Sequence, residues 1–224
     1  MAQTNFINRH LNLPRRVRSF ALNSVPIALG HRYNVSVSHK HKIIWYRVAK
    51  VGTRSIITLI SDSDSQMILN YPKWRSLNAG SMSSYTAVSF VRNPYDRLVS
   101  AWKNKVVDSN LFRLEESLHR ELQDFDRFVE YVSQYDIRNA DVHLRPQYRL
   151  VDTGRVNSVG KMESFEEDCE KIFSEAGVDV SGLERKNASS QSRKPALEYF
   201  SESSIELVNK FYAKDFEIFE YSKV

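Results

Sequence analysis

The sequence predicts an α/β fold of three layers, α/β/α, with helices on both faces of a central parallel sheet. Two observations carry that prediction. Residues 42–48 and 85–91 are β-branched and aromatic, and each run ends in a polar turn. Each turn is followed by apolar residues at helical spacing, over 53–60 and 94–107. A strand that leads into a helix, twice in succession, is the pattern of parallel strands joined by crossover helices.

Residues 1–30 carry Pro14, Pro26 and Gly30 and are expected to be irregular, leaving 31–224 as a single domain. Residues 33–37 suit a short edge strand. The run Lys42-Ile43-Ile44-Trp45-Tyr46-Arg47-Val48 reads as a buried strand. Ile56, Ile57, Leu59 and Ile60 give the first helix its apolar positions. Residues 61–80, rich in Ser, Asp and Asn around Pro72, read as a loop or broken helix. After the strand at 85–91, Pro94 fits the first turn of a helix, where its missing N–H costs nothing. Leu98, Val99, Trp102 and Val106 lie on or near one face of that helix, and Phe125, Phe128, Val129 and Val132 mark another. Residues 156–159 suit a third strand. Residues 163–176 suit a helix stopped by Gly177, 187–195 a polar loop, and 204–219 a closing amphipathic helix.

A chain of 224 residues that is 42% hydrophobic and 26% charged can bury a full globular core. Its single cysteine, Cys169, excludes an internal disulfide framework and a multi-cysteine metal site, and fits a reducing compartment. No apolar run reaches the length of a membrane span. The apolar stretch after Arg15, Arg16 and Arg18 is interrupted by Asn23 and Pro26, with no signal-type cleavage site beyond it. The expected location is therefore cytoplasmic. A net charge of +5 fits a mildly basic surface or an anionic ligand. Nucleic acid is not expected as a partner, because no recognition motif or regularly spaced basic helix is present.

Two blocks carry the chemistry. The first is Lys50-Val51-Gly52-Thr53-Arg54-Ser55, where a strand turns into a helix. Such a turn exposes unpaired N–H groups at the positive end of a helix dipole, which favours an anion. Gly52 lets the backbone approach a phosphate, Thr53 and Ser55 add hydroxyls, and Lys50 adds a mobile positive charge. A solvated strand–helix turn with an incidental lysine uses the same residue types. The block is not a Walker A loop, since G-x-x-x-x-G-K-[ST] is absent. The second block runs from Phe90 to Ser100. Arg92 stands at a strand's carboxyl end, where open α/β sheets bind ligands and where a guanidinium suits a phosphate. Ser100 follows eight residues later, about two helical turns beyond Pro94. The alternative is an arginine paired with Asp96 at a helix cap, and a surface serine. A magnesium-dependent nucleotidase would often place an aspartate where Arg92 stands, so no metal is expected.

In this order and spacing the two blocks resemble the 5′-phosphosulfate and 3′-phosphate motifs of sulfotransferases. Lys50-Val51-Gly52, Phe90 to Lys105 and Val159-Gly160-Lys161-Met162-Glu163-Ser164 resemble the Golgi carbohydrate sulfotransferases and their bacterial relatives. Chondroitin, dermatan and HNK-1 sulfotransferases belong to that family. The resemblance extends to the closing Tyr212-x-x-Asp215-Phe216-x-x-Phe219-x-Tyr221. It implies a nucleotide-kinase-like fold, 3′-phosphoadenosine 5′-phosphosulfate (PAPS) as donor and a carbohydrate hydroxyl as acceptor. By the same resemblance Lys50 and the Val51–Ser55 loop bind the 5′-phosphosulfate, and Arg92 and Ser100 bind the 3′-phosphate. The chain departs from the vertebrate pattern at Ala49, usually Pro, and Thr53, usually Cys, and it lacks the extra cysteines; the membrane anchor of the vertebrate enzymes is not expected in it. A Golgi location applies only if an N-terminal anchor has been removed.

Sulfuryl transfer needs charge stabilisation on the leaving oxygen and a base for the attacking hydroxyl. Lys50 is the candidate for the first role and His143 for the second. His143 lies in Asp141-x-His143-x-x-Pro146-Gln147, similar to a segment of the same family, although a loop histidine that only bonds backbone fits the residues too. Glu163 is the alternative base, or a first-turn helix carboxylate. His119 reads as part of a solvated face, and His10, His31, His39 and His41 carry less information. Arg185 and Lys186 open a polar, basic loop suited to closing over the nucleotide, or to an idle surface. Tyr71, Trp74 and Tyr148 are candidates to stack on an acceptor sugar. A P-loop kinase or other phosphotransferase, and a nucleotide-binding module without catalysis, are the competing classes.

Overall fold

The computed structural model describes residues 33–71, 82–181, 183 and 194–224. The expectations for 1–30, Trp74 and the basic loop with Arg185 and Lys186 fall outside the described residues. In chain order the elements are β1 (Val35–Ser38), β2 (Ile43–Tyr46), α1 (Thr53–Ser63), β3 (Thr86–Val91) and α2 (Pro94–Trp102). They continue with α3 (Glu116–Glu121), α4 (Phe125–Ser133), β4 (Ser158–Lys161), α5 (Phe165–Ser174), α6 (Glu202–Phe211) and α7 (Ala213–Ile218). The chain divides into two compact units, one built from Tyr33–Asn93 and Gln147–Lys194, the other including Pro94–Pro146 and Pro195–Val224.

The first unit holds a mixed four-stranded sheet in the order β1-β2-β3-β4. β2, β3 and β4 are parallel, and β1 folds back antiparallel on β2 as the edge. The expected parallel sheet is thus present at its centre, with an antiparallel edge. Every residue of β2 is buried, as expected for a strand with both faces covered. The crossover β2–α1–β3 follows the predicted strand–turn–helix unit. At the far end of α1, the buried Asp64 carboxylate accepts from the Ser38 hydroxyl at 2.6 Å and ties the helix to β1.

Register fixes the packing of the third parallel strand. Phe90 of β3 pairs with Gly160 of β4, so both lie on the same face. The Phe90 ring stacks on Phe173 at 5.8 Å and meets Phe165 edge-on at 5.7 Å, both from α5. It also leans across Gly160, where a Cβ would stand 2.4 Å from its Cε1. Gly160→Ala is therefore expected to destabilise the protein by about 1–3 kcal/mol through overpacking. A urea titration checks this: the midpoint should fall with the slope unchanged. An unchanged midpoint would mean that the ring can move aside.

β4 begins two residues later than the sequence suggests. Val156 lies in a turn, its N–H bonded to the Asp152 carbonyl at 2.9 Å. Asn157 then starts the pairing with two bonds to Ala87. At the end of α5, Gly177 has φ +69°, the left-handed cap conformation expected of it.

The second unit is helical around a core that includes Tyr95, Leu98, Trp102, Phe125, Phe128 and Val132. Asp124 caps α4 by accepting the Arg127 N–H at 3.0 Å, and Ser201 caps α6 by accepting from Ser204. Two predicted helices differ from expectation. The one from Pro94 is α-helical to Trp102 and widens to a π-helix over Lys103–Val107. The closing helix breaks at Tyr212 into α6 and α7. His119, read as part of a solvated face, lies on α3, and its Nε2 is 2.7 Å from the Val106 carbonyl. No helix among the described residues is long and apolar enough to cross a membrane.

Candidate active site

The turn between β2 and α1 is shaped by two residues in the left-handed region. Lys50 has φ 73° and Gly52 has φ 70°. Gly52 is needed for a second reason: a Cβ there would stand 2.9 Å from Phe165 Cε2 and 3.3 Å from Met162 Sδ. The loop thus rests on the start of α5. Thr53 Oγ1 donates to the Val48 carbonyl at 2.9 Å, closing the loop on itself. Its amide, rather than its hydroxyl, is then the group left for an anion. The helix ladder opens with the Ile56 N–H on the Gly52 carbonyl, so the amides of Thr53, Arg54 and Ser55 precede the first intrahelical bond. No acidic side chain sits in that first turn. The dipole, Lys50 and the exposed Arg54 all favour negative charge at this end of the helix.

Arg92 follows β3 on the same sheet edge, since β2 and β3 run parallel. Its backbone is gripped by one side chain. The buried Gln147 accepts the Arg92 N–H at Oε1 (3.0 Å) and donates from Nε2 to the Arg92 carbonyl (2.8 Å). The Asn93 N–H next donates to Glu163 Oε1 at 2.7 Å. Gln147 therefore fixes the arginine as a neighbouring strand would. Sequence reasoning quoted Gln147 but gave it no role. Glu163, the alternative base, holds this turn.

Lys161 ends β4 at the same edge, paired with Val91. Reading the strand two residues early hid that placement. The turn after it is ordered by Asp168, whose Oδ2 accepts from the Lys161 N–H at 2.6 Å and the Ser164 hydroxyl at 2.7 Å. Cys169 lies buried beneath, and burial, with the Asp168 charge, pushes its thiol up to about 12. At neutral pH the thiol is therefore protonated, the weakly nucleophilic form.

The first unit thus brings together Lys50, Val51, Gly52, Thr53, Arg54, Ser55 and Arg92. Ser100 and His143 belong to the helical unit. Ser100 is half-buried on α2. His143 Nδ1 lies 2.6 Å from Asp141 Oδ1, and the same oxygen accepts the His143 backbone N–H at 2.9 Å. The His143 and Asp141 side chains are 22% and 14% exposed, enough to meet a ligand from solvent. A carboxylate on Nδ1 fixes the tautomer with its proton there and leaves Nε2 as the basic nitrogen. The other described histidines are engaged differently. His41 lies between the Ala176 carbonyl and Ser63, His39 bonds Tyr85, and His119 bonds Val106. Only His143, among the described residues, pairs with a carboxylate.

Comparison with known proteins shows what the chain resembles. Carbohydrate sulfotransferase 10 of Xenopus laevis is 25% identical over 244 residues, covering 84% of this chain and 67% of that protein. No solved structure matches the chain. The model of the sulfotransferase family matches residues 33–222, a span that takes in the Lys50–Ser55 turn, Arg92 and the His143–Asp141 pair, and the chain belongs to that family.

Proposed function

We propose that the protein transfers a sulfuryl group from PAPS to a carbohydrate hydroxyl by in-line displacement, and that residues 31–224 act as one sulfotransferase domain. The observation that carries the donor assignment is the left-handed Lys50–Gly52 turn over the α1 N-terminus, beside an arginine pinned at the same sheet edge. Family membership and the carbohydrate sulfotransferase relative support the reaction and the acceptor class.

The residues present fit the donor. The α1 amides and Lys50 receive the 5′-phosphosulfate, and Arg92 with Ser100 receives the 3′-phosphate. In the transfer, a bond forms between the acceptor oxygen and sulfur. The bond between sulfur and the oxygen bridging to the 5′-phosphate breaks. Charge then gathers on that oxygen, where a positioned ammonium such as Lys50 stabilises the transition state more than the ground state. The hydroxyl proton passes to His143 Nε2, with Asp141 holding the ring and stabilising the imidazolium. No metal is needed in this scheme, because lysine and arginine supply the positive charge.

Calorimetry with adenosine 3′,5′-bisphosphate tests the donor assignment. Binding is expected for the wild type, and a loss of about ten- to hundredfold for Arg92→Ala, the range for a hydrogen-bonded charge. No binding at millimolar nucleotide would overturn the donor assignment. Wild-type affinity in Arg92→Ala would overturn the 3′-phosphate role alone.

A further inference from the structure

The backbone around His143 is held on both sides of it. Arg97 Nη2 donates to the Val142 carbonyl at 3.0 Å, and the Tyr212 hydroxyl donates to the Leu144 carbonyl at 2.7 Å. One carbonyl precedes the histidine and the other follows it. The donors come from different places in the helical unit: Arg97 from α2, and Tyr212 from the break between α6 and α7. Both are 1% exposed. Asp215, wholly buried one turn beyond Tyr212, acts on the phenol together with Arg97.

Desolvating a guanidinium takes several kcal/mol, and here the buried guanidinium is directed at the carbonyl just before His143, while the carbonyl of the wholly buried Leu144, just after it, is met by the Tyr212 hydroxyl. Burial raises the Tyr212 phenol well above its ordinary value, with Asp215 adding to the rise and Arg97 opposing it. Tyr212 therefore remains a protonated donor throughout the range in which an enzyme works. Asp141 fixes the imidazole's tautomer but is itself part of the same short segment, two residues away. Something outside the segment must fix the segment.

Building on the reading of His143 as base, we propose that Arg97 and Tyr212 are positioning residues: they clamp residues 142–144 so that Nε2 is held where the acceptor hydroxyl must lose its proton. Neither touches the reacting atoms. The break at Tyr212 serves the clamp, because it ends α6 at the residue whose hydroxyl reaches Leu144.

The test uses Tyr212→Phe, which keeps the buried ring and removes the hydroxyl. A small misplacement of a catalytic group can cost up to about a hundredfold. The kcat is expected to fall about ten- to hundredfold, while donor KM and affinity for adenosine 3′,5′-bisphosphate stay within about twofold, the signature of a loss confined to the transition state. Val208→Ala, at a wholly buried core position of α6, is the control for lost stability and should leave kcat unchanged. Wild-type kcat in Tyr212→Phe, with His143→Ala inactive, would overturn the clamp. Wild-type kcat in His143→Ala would instead overturn the assignment of the base. If Tyr212→Phe does not fold, amide order parameters of residues 142–144 in the wild type decide. Values of about 0.85 support a clamped segment, and values below about 0.6 overturn it.

Discussion

Replacing Lys50 by glycine is expected to lower kcat by about 10²–10³ while leaving the fold as stable as the wild type. That magnitude is what removal of one pre-organised charge or donor from a developing oxyanion costs. The stability half of the prediction follows from the backbone. Lys50 has φ 73°, a conformation that costs an L-residue roughly 1–2 kcal/mol and glycine almost nothing. Relief of that strain offsets the larger entropy glycine gives the unfolded chain. A side chain retained at a strained position for structural reasons would give the opposite pattern, with stability falling and turnover intact. Steady-state assay with radiolabelled donor and a glycan panel, alongside a urea titration, separates the two. Undiminished turnover in Lys50→Gly would remove Lys50 from the chemistry and leave the loop as a binding element only.

His143→Ala should lower kcat by about 10²–10⁴, the usual worth of a general base. Asp141→Asn should also lower it, because an amide no longer holds the proton on Nδ1 through a charged acceptor. In both variants the affinity for adenosine 3′,5′-bisphosphate should match the wild type, since neither residue is assigned to the nucleotide. The pairing of lost turnover with intact nucleotide binding is the informative result. A variant that loses both would point to collapse of residues 141–144 rather than to a missing base. Full turnover in His143→Ala would return the role of base to an open question, with Glu163 disfavoured by its bond to the Asn93 amide.

The sequence by itself determined the two strand–turn–helix units, the turn at Lys50–Ser55 and the arginine at a strand end, whereas the bond between Asp141 and His143 was seen only in the structure. The first three are short-range properties of side-chain period and turn chemistry. Pro94 opens α2 and Gly177 ends α5 for the same local reasons. The reversal of β1, the true start of β4 and the break at Tyr212 were decided only by tertiary structure. So was the grip of Gln147 on Arg92, 55 residues away, and of Tyr212 on Leu144, 68 residues away. A glutamine after a proline and a tyrosine in an amphipathic helix look like many others in sequence. Their roles arise when the fold buries a backbone group that has lost its water and offers it one donor or acceptor within reach. Periodicity fixes which face of an element is apolar, but the partner of a buried carbonyl is settled by packing between segments distant in the chain.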